Sequence, residues 1–94
     1  MDSRTITINN HRWKLRYVKM RSNDGECDAP GTPCKEIRIA RRLLRYPRAL
    51  AEALVHETIH ASCFDLTEDR VEQMAGDIIR ILEQENCLRN GGDA

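Results

Sequence analysis

The sequence predicts an α+β domain: a small three-stranded sheet, antiparallel or mixed, packed on two helices. Three observations predict it. Apolar and polar residues alternate in three short runs before residue 41. Apolar residues then recur at helical spacing in two longer runs after residue 47. The 94 residues leave room for one core, so residues 1–94 read as a single compact domain with a frayed tail over about 90–94.

The elements follow in order. Thr5-Ile6-Thr7-Ile8 alternates with both isoleucines on one face, and Arg12-Trp13-Lys14-Leu15-Arg16-Tyr17 alternates with Trp13, Leu15 and Tyr17 inward. Asn9-Asn10-His11 between them reads as a turn, so the two runs form a β-hairpin. Residues 22–33 hold two glycines and two prolines and read as a loop. Lys35-Glu36-Ile37-Arg38-Ile39-Ala40 is the third strand, with Ile37 and Ile39 inward. Its backbone edge is expected to be free, over residues 36–40, for an extended peptide to pair with.

Pro47 suits a first helical position, and Ala49-Leu50-Ala51-Glu52-Ala53-Leu54 are good helix formers, so a helix is expected over 47–63. Leu50, Leu54 and Ala61, helped by Val55 and Ile59, make its apolar stripe. A short connection follows, with N-cap chemistry at Thr67 or Asp65. Val71, Met74, Ala75, Ile78, Ile79 and Leu82 then repeat at 3.6 spacing and predict a second helix over 68–88, ended by Asn90-Gly91-Gly92.

Composition narrows the function. Fifteen basic and fifteen acidic residues balance, which argues against a dedicated binder of nucleic acid or anionic membrane. No apolar run approaches a membrane span, and the first residues lack the apolar core of a signal peptide, so a soluble cytoplasmic protein is expected. Cys27, Cys34, Cys63 and Cys87 are too few for a disulfide scaffold and lack zinc-ribbon spacing; they read as free thiols.

The informative segment is His56-Glu57-Thr58-Ile59-His60, an H-E-x-x-H pattern inside a predicted helix. Residues four apart share a helical face, so the two imidazoles can aim at one Zn2+ ion. Glu57, one residue round, reaches a water on the metal and serves as catalytic acid and base. The plain alternative is two surface histidines on an amphipathic helix. Against it, two of the chain's three histidines fall four apart with a glutamate between them, in an otherwise apolar stretch.

A catalytic zinc site needs a third protein ligand. For two helices packed antiparallel across the short connection, Glu72 sits level with the histidine pair at about 1.5 Å rise per residue. Glu68 and Asp69 sit too near the tip to serve. Asp65 in the connection and Cys63 near the helix end remain rivals to Glu72.

These pieces together resemble small zincin-type metallopeptidase-like domains, many of them encoded by phages and bacteria. The resemblance runs over about residues 25–85. It rests on Gly25-Glu26-Cys27-Asp28, Ile37-Arg38-Ile39, Val55-His56-Glu57-Thr58-Ile59-His60-Ala61 and the Leu66–Ala75 stretch carrying the acid. The chain is also similar in pattern to the ImmA/IrrE-like and SprT-like metallopeptidases. In the gluzincin-like members a glutamate on the second helix completes the site, which implies Glu72 here. The resemblance implies zinc-dependent hydrolysis of a peptide or protein substrate in a bacterial or phage-infected cytoplasm. The alternatives are a zinc-stabilised binding module without hydrolysis, or a DNA-associated accessory protein of SprT-like type. The last would use Arg41, Arg42, Arg45 and Arg48, a basic cluster whose ordinary reading is a solvated face.

Overall fold

The computed structural model of the chain describes residues 3–88. Strands β1 (Ser3–Ile8), β2 (His11–Val18), β3 (Gly25–Cys27) and β4 (Glu36–Ala40) are followed by a 3₁₀ turn (Arg41–Arg45) and helices α1 (Pro47–Ser62) and α2 (Glu68–Gln84). The fold is α+β, and the sheet is mixed.

The hairpin forms as its alternation predicts. Asn9 and Asn10 take positive φ, 53° and 64°, which asparagine tolerates in a two-residue turn. His11 is not part of the turn: it is the first residue of β2, opposite Ile8. Trp13 and Leu15 are buried and Tyr17 is half-buried, on the face the period assigned. The Asn9 side-chain amide also donates to the Ser62 carbonyl at the end of α1, 3.1 Å away, and ties the hairpin tip to that helix.

The sheet has four strands, not three. Residues 25–27, expected within a loop, pair antiparallel with β4, Gly25 opposite Ile39 and Cys27 opposite Ile37. Three residues carry too little alternation to be seen against flanking glycine and proline; the pairing is imposed by β4. The strand order is β1-β2-β4-β3, with β2 and β4 parallel. β4 therefore lies between β2 and β3, and the expectation that it offers a free edge is overturned. β3 is the terminal strand on that side.

Inner position explains why Ile37, Ile39 and Ala40 are almost fully buried. They join Trp13, Leu15, Leu43, Ala53 and Ala61 in the core, each large aliphatic contributing about 1.5–3 kcal/mol by burial. α1 covers the apolar face, packing on β1, β3 and β4, and α2 packs on α1. On the outer face Arg38 bridges the strands. It donates to Asp28 Oδ1 at 2.7 Å, Glu26 Oε1 at 3.1 Å and Glu36 Oε1 at 3.1 Å.

Both helices have legible ends. Pro47 opens α1, and Thr67 caps α2 by accepting from the Arg70 N–H at 3.2 Å. α2 stops at Gln84, before the expected 88. Asn86 takes φ 63°, and Cys87 and Asn86 donate back to the Leu82 and Glu83 carbonyls, closing a Schellman motif. The Asn90-Gly91-Gly92 stop and the 90–94 tail lie outside the described residues. All four cysteines are free thiols. Among the described residues no helix is long and apolar enough to cross a membrane.

Candidate metal centre

α1 turns two faces to two partners. Ala53, Glu57 and Ala61, four apart, are its buried residues and face the sheet. At about 100° per residue, His56 and His60 fall to one side of that line, toward α2. Their rings meet edge to face with centroids 4.9 Å apart, and both side chains are only 16% exposed.

The acid that α2 brings to them is Glu68. Its Oε2 lies 2.9 Å from His56 Nε2 and its Oε1 lies 2.8 Å from His60 Nε2. The three donors fall within 4.8 Å of one another, the one such group of His, Cys, Asp or Glu among the described residues. Glu72, favoured from the sequence, is not in this group. It is exposed, one turn further along α2, on the wall of an adjoining cavity of about 550 Å³ shared with Glu52, His56, Glu57 and Glu68.

The physical reason is the phase of α2. Its buried stripe is Val71, Ala75 and Ile79. At about 100° per residue Glu68 lies within roughly 20° of the middle of that stripe, and Glu72 lies roughly 60° away. Level along the axis favoured Glu72, but angle around it decides. That signal was present in the sequence, because Glu68 stands seven residues before Ala75. Glu68 is also the first residue of α2, where a negative charge is favoured by the unpaired N–H groups. Asp65 and Cys63 are exposed residues of the connection, outside the group.

Glu57 sits beside the histidines but behind them, 7% exposed, with Gly25 of β3 against it. Its carboxylate accepts no hydrogen bond among the described residues. Burial pushes its pKa above the ordinary carboxylate value; the histidines pull it down, and Glu68 and Glu26 push it further up. Such a carboxylate is poised to take a proton. Cys27 lines a second cavity, about 420 Å³, with Gly25, Glu57, His60, Phe64 and Glu68. Burial, then the Glu57 charge, push its thiol up to about 12, so it is a poor nucleophile.

A tetrahedral zinc with ligands at about 2.0–2.2 Å needs donors on the order of 3.3 Å apart. Each Glu68 oxygen stands a hydrogen-bond length from one imidazole nitrogen, Oε2 from His56 and Oε1 from His60, and one donor atom from each of the three residues lies within 4.8 Å of the others, so a shift on the order of an ångström would gather them around one ion. The donor set, two imidazoles and one carboxylate, is one that zinc accepts in catalytic sites.

Three of the four arginines of the cluster, Arg41, Arg42 and Arg48, are engaged on their own chain. Arg42 pairs with Asp24 at 3.0 Å, and Arg48 with Glu52 at 3.0 Å and Glu83 at 2.8 Å. Arg41 reaches the Tyr17 carbonyl, and Arg45 is exposed. This chain matches no protein-family model, no curated protein and no solved structure.

Proposed function

We propose that the chain is a zinc-dependent, zincin-type metallopeptidase in which His56, His60 and Glu68 hold the metal and Glu57 is general base and acid. The observation that carries the reading is the convergence of two imidazoles and a carboxylate next to a buried glutamate that accepts no hydrogen bond among the described residues. Zinc held there supplies a Lewis acid that polarises a carbonyl and makes water more acidic. Glu57 accepts a proton from the attacking water as its oxygen bonds to the scissile carbonyl carbon. It returns that proton to the amine nitrogen as the C–N bond breaks.

The substrate has an edge to lie on, which is β3. Asp28 N–H donates to the Glu36 carbonyl at 3.0 Å, and Ala40 N–H to the Asp24 carbonyl at 2.8 Å. By strand alternation the even positions of β3 face β4, and the N–H and C=O groups of Gly25 and Cys27 face away from the sheet. An extended peptide pairing there runs beside His56, Glu57 and His60, between the two cavities.

The competing reading is a zinc-stabilised binding module without hydrolysis. Glu57 favours the enzyme: a structural zinc site needs no largely buried carboxylate beside it that opens on both cavities and accepts no hydrogen bond among the described residues, an arrangement that costs stability. The test is zinc content by elemental analysis together with cleavage of a denatured protein, wild type against Glu57→Gln. Zinc-loaded wild type that leaves the substrate intact would leave only the binding module.

A further inference from the structure

Gly25 occupies the middle of a packed interface rather than a turn. It lies in β3, opposite Ile39, and its φ is outside the left-handed region, so the backbone there does not require glycine. A glycine weakens a strand and often marks close approach of another group. Here that group is Glu57. A Cβ at position 25 would stand 3.0 Å from Glu57 Cγ, 3.0 Å from Glu57 Oε2 and 3.1 Å from Ile39 Cδ1. Ile39 is fully buried and fixed between β2 and β3, and Glu57 is itself enclosed. The Glu57 carboxylate is the group able to yield, and the direction left to it is away from β3.

We infer that Gly25 is a positioning residue for Glu57: the missing side chain makes the recess that seats the carboxylate behind the histidine pair. The inference rests on the function proposed above for its catalytic consequence, but not for its steric one. A Cβ at position 25 bears first on the carboxylate and not on the metal-binding group, since its three nearest atoms belong to Glu57 and Ile39 and none to His56, His60 or Glu68.

Two measurements on the full chain test it. The first is a double-mutant cycle on thermal stability: Gly25→Ala alone, Glu57→Ala alone, and both. The melting-temperature loss caused by Gly25→Ala should shrink by at least half when Glu57 is already alanine, because the crowded atoms are gone. An equal loss in both backgrounds, or a double variant that fails to fold as badly as Gly25→Ala, places the crowding on Ile39 and overturns the inference. The second is kinetic. Gly25→Ala should keep one zinc per chain by elemental analysis and leave KM within about twofold, while kcat falls at least tenfold and the acid limb of its pH profile moves. Unchanged kcat with an unmoved acid limb also overturns it. A wild type that holds zinc but cleaves nothing defeats the peptidase reading, and the stability cycle still decides the place of Gly25.

Discussion

His60 Nε2 lies 2.8 Å from Glu68 Oε1, although the two residues belong to different helices. This contact decides which acid completes the cluster, and it separates Glu68 from Glu72 by experiment. Alanine at His56, His60 or Glu68 should weaken zinc binding by more than about 100-fold, beyond the loss expected for an outer partner of a ligand. Glu72→Ala should keep one zinc per chain. Competition with a chromogenic chelator measures both; loss of zinc from Glu72→Ala with retention in Glu68→Ala would reverse the assignment.

Chelation should also destabilise the fold. A ligand present at about a thousand times its Kd contributes about 4 kcal/mol. In a domain of this size each kcal/mol moves Tm by roughly 4–8 °C. Stripping the zinc should therefore lower Tm by about 10 °C or more in a calorimetric scan, and an unchanged curve after verified removal would show that metal and folding are uncoupled.

Glu57→Gln keeps the side-chain volume and removes the base. Zinc content should stay at one per chain, and Tm should not fall, because the buried carboxylate accepts no hydrogen bond among the described residues. Turnover should drop by about 10²–10⁴. Single-turnover cleavage of a fluorogenic peptide provides the comparison, and wild-type turnover in the variant would remove Glu57 from the mechanism.

The outer face of the sheet makes a separate prediction about acid. The Arg38 hydrogen bond, helped by the Glu36 N–H, holds the Asp28 carboxyl below its ordinary 3.8. Glu36 is raised by burial, but hydrogen bonds from Arg16 and Arg38 outweigh this and hold it below 4.5. Both groups bind protons more weakly in the folded chain than in the unfolded one. Their stabilisation is complete above the ordinary carboxylate range and is lost as pH falls through the depressed values. Urea midpoints should thus decline below about pH 4.5. Asp28→Asn should cost about 1–2 kcal/mol at neutral pH and flatten that decline; a variant with the wild-type acid profile would show that the Arg38 cluster contributes little.

The free edge is tested at Cys27, whose N–H points away from β4 by strand alternation. Cys27→Pro removes that donor, and proline is tolerated on a terminal strand. Cys27→Ala controls for the lost thiol. With zinc content equal, the proline variant should bind an extended peptide at least tenfold more weakly than the alanine variant, measured by fluorescence anisotropy. Equal affinities would place the substrate elsewhere.

The parts of the chain that announced themselves in the sequence are those with a period. The hairpin, β4 and both helices each repeat apolar residues often enough to be seen, and the spacing of His56 and His60 carries its own geometry. What was not legible depends on distance or phase. β3 is three residues long and exists because β4 pairs with it. The parallel register of β2 and β4 reflects a connection whose path no local pattern records. Glu68 was within reach: the Val71, Ala75 and Ile79 stripe points to it, once angle around the helix is weighed against level along it. Gly25 reads in the sequence as a loop glycine, and only the fold sets Glu57 against it.

The two halves of the centre belong to parts of the chain that assemble at different times. His56, His60 and Glu68 come from consecutive helices joined by a short connection, and a helix forms within about a microsecond. Glu57 is enclosed only when β3 has joined β4, and β4 must first find β2 in a parallel pairing that sets Glu36 beside Lys14. Such non-local pairing is slow, since a long loop closes before any contact rewards it. During refolding, capture of the ion is therefore expected to run ahead of enclosure of the base. On the proposed function, a newly made chain would bind zinc while still open, and the ion would hold the helical pair as a template on which the sheet closes.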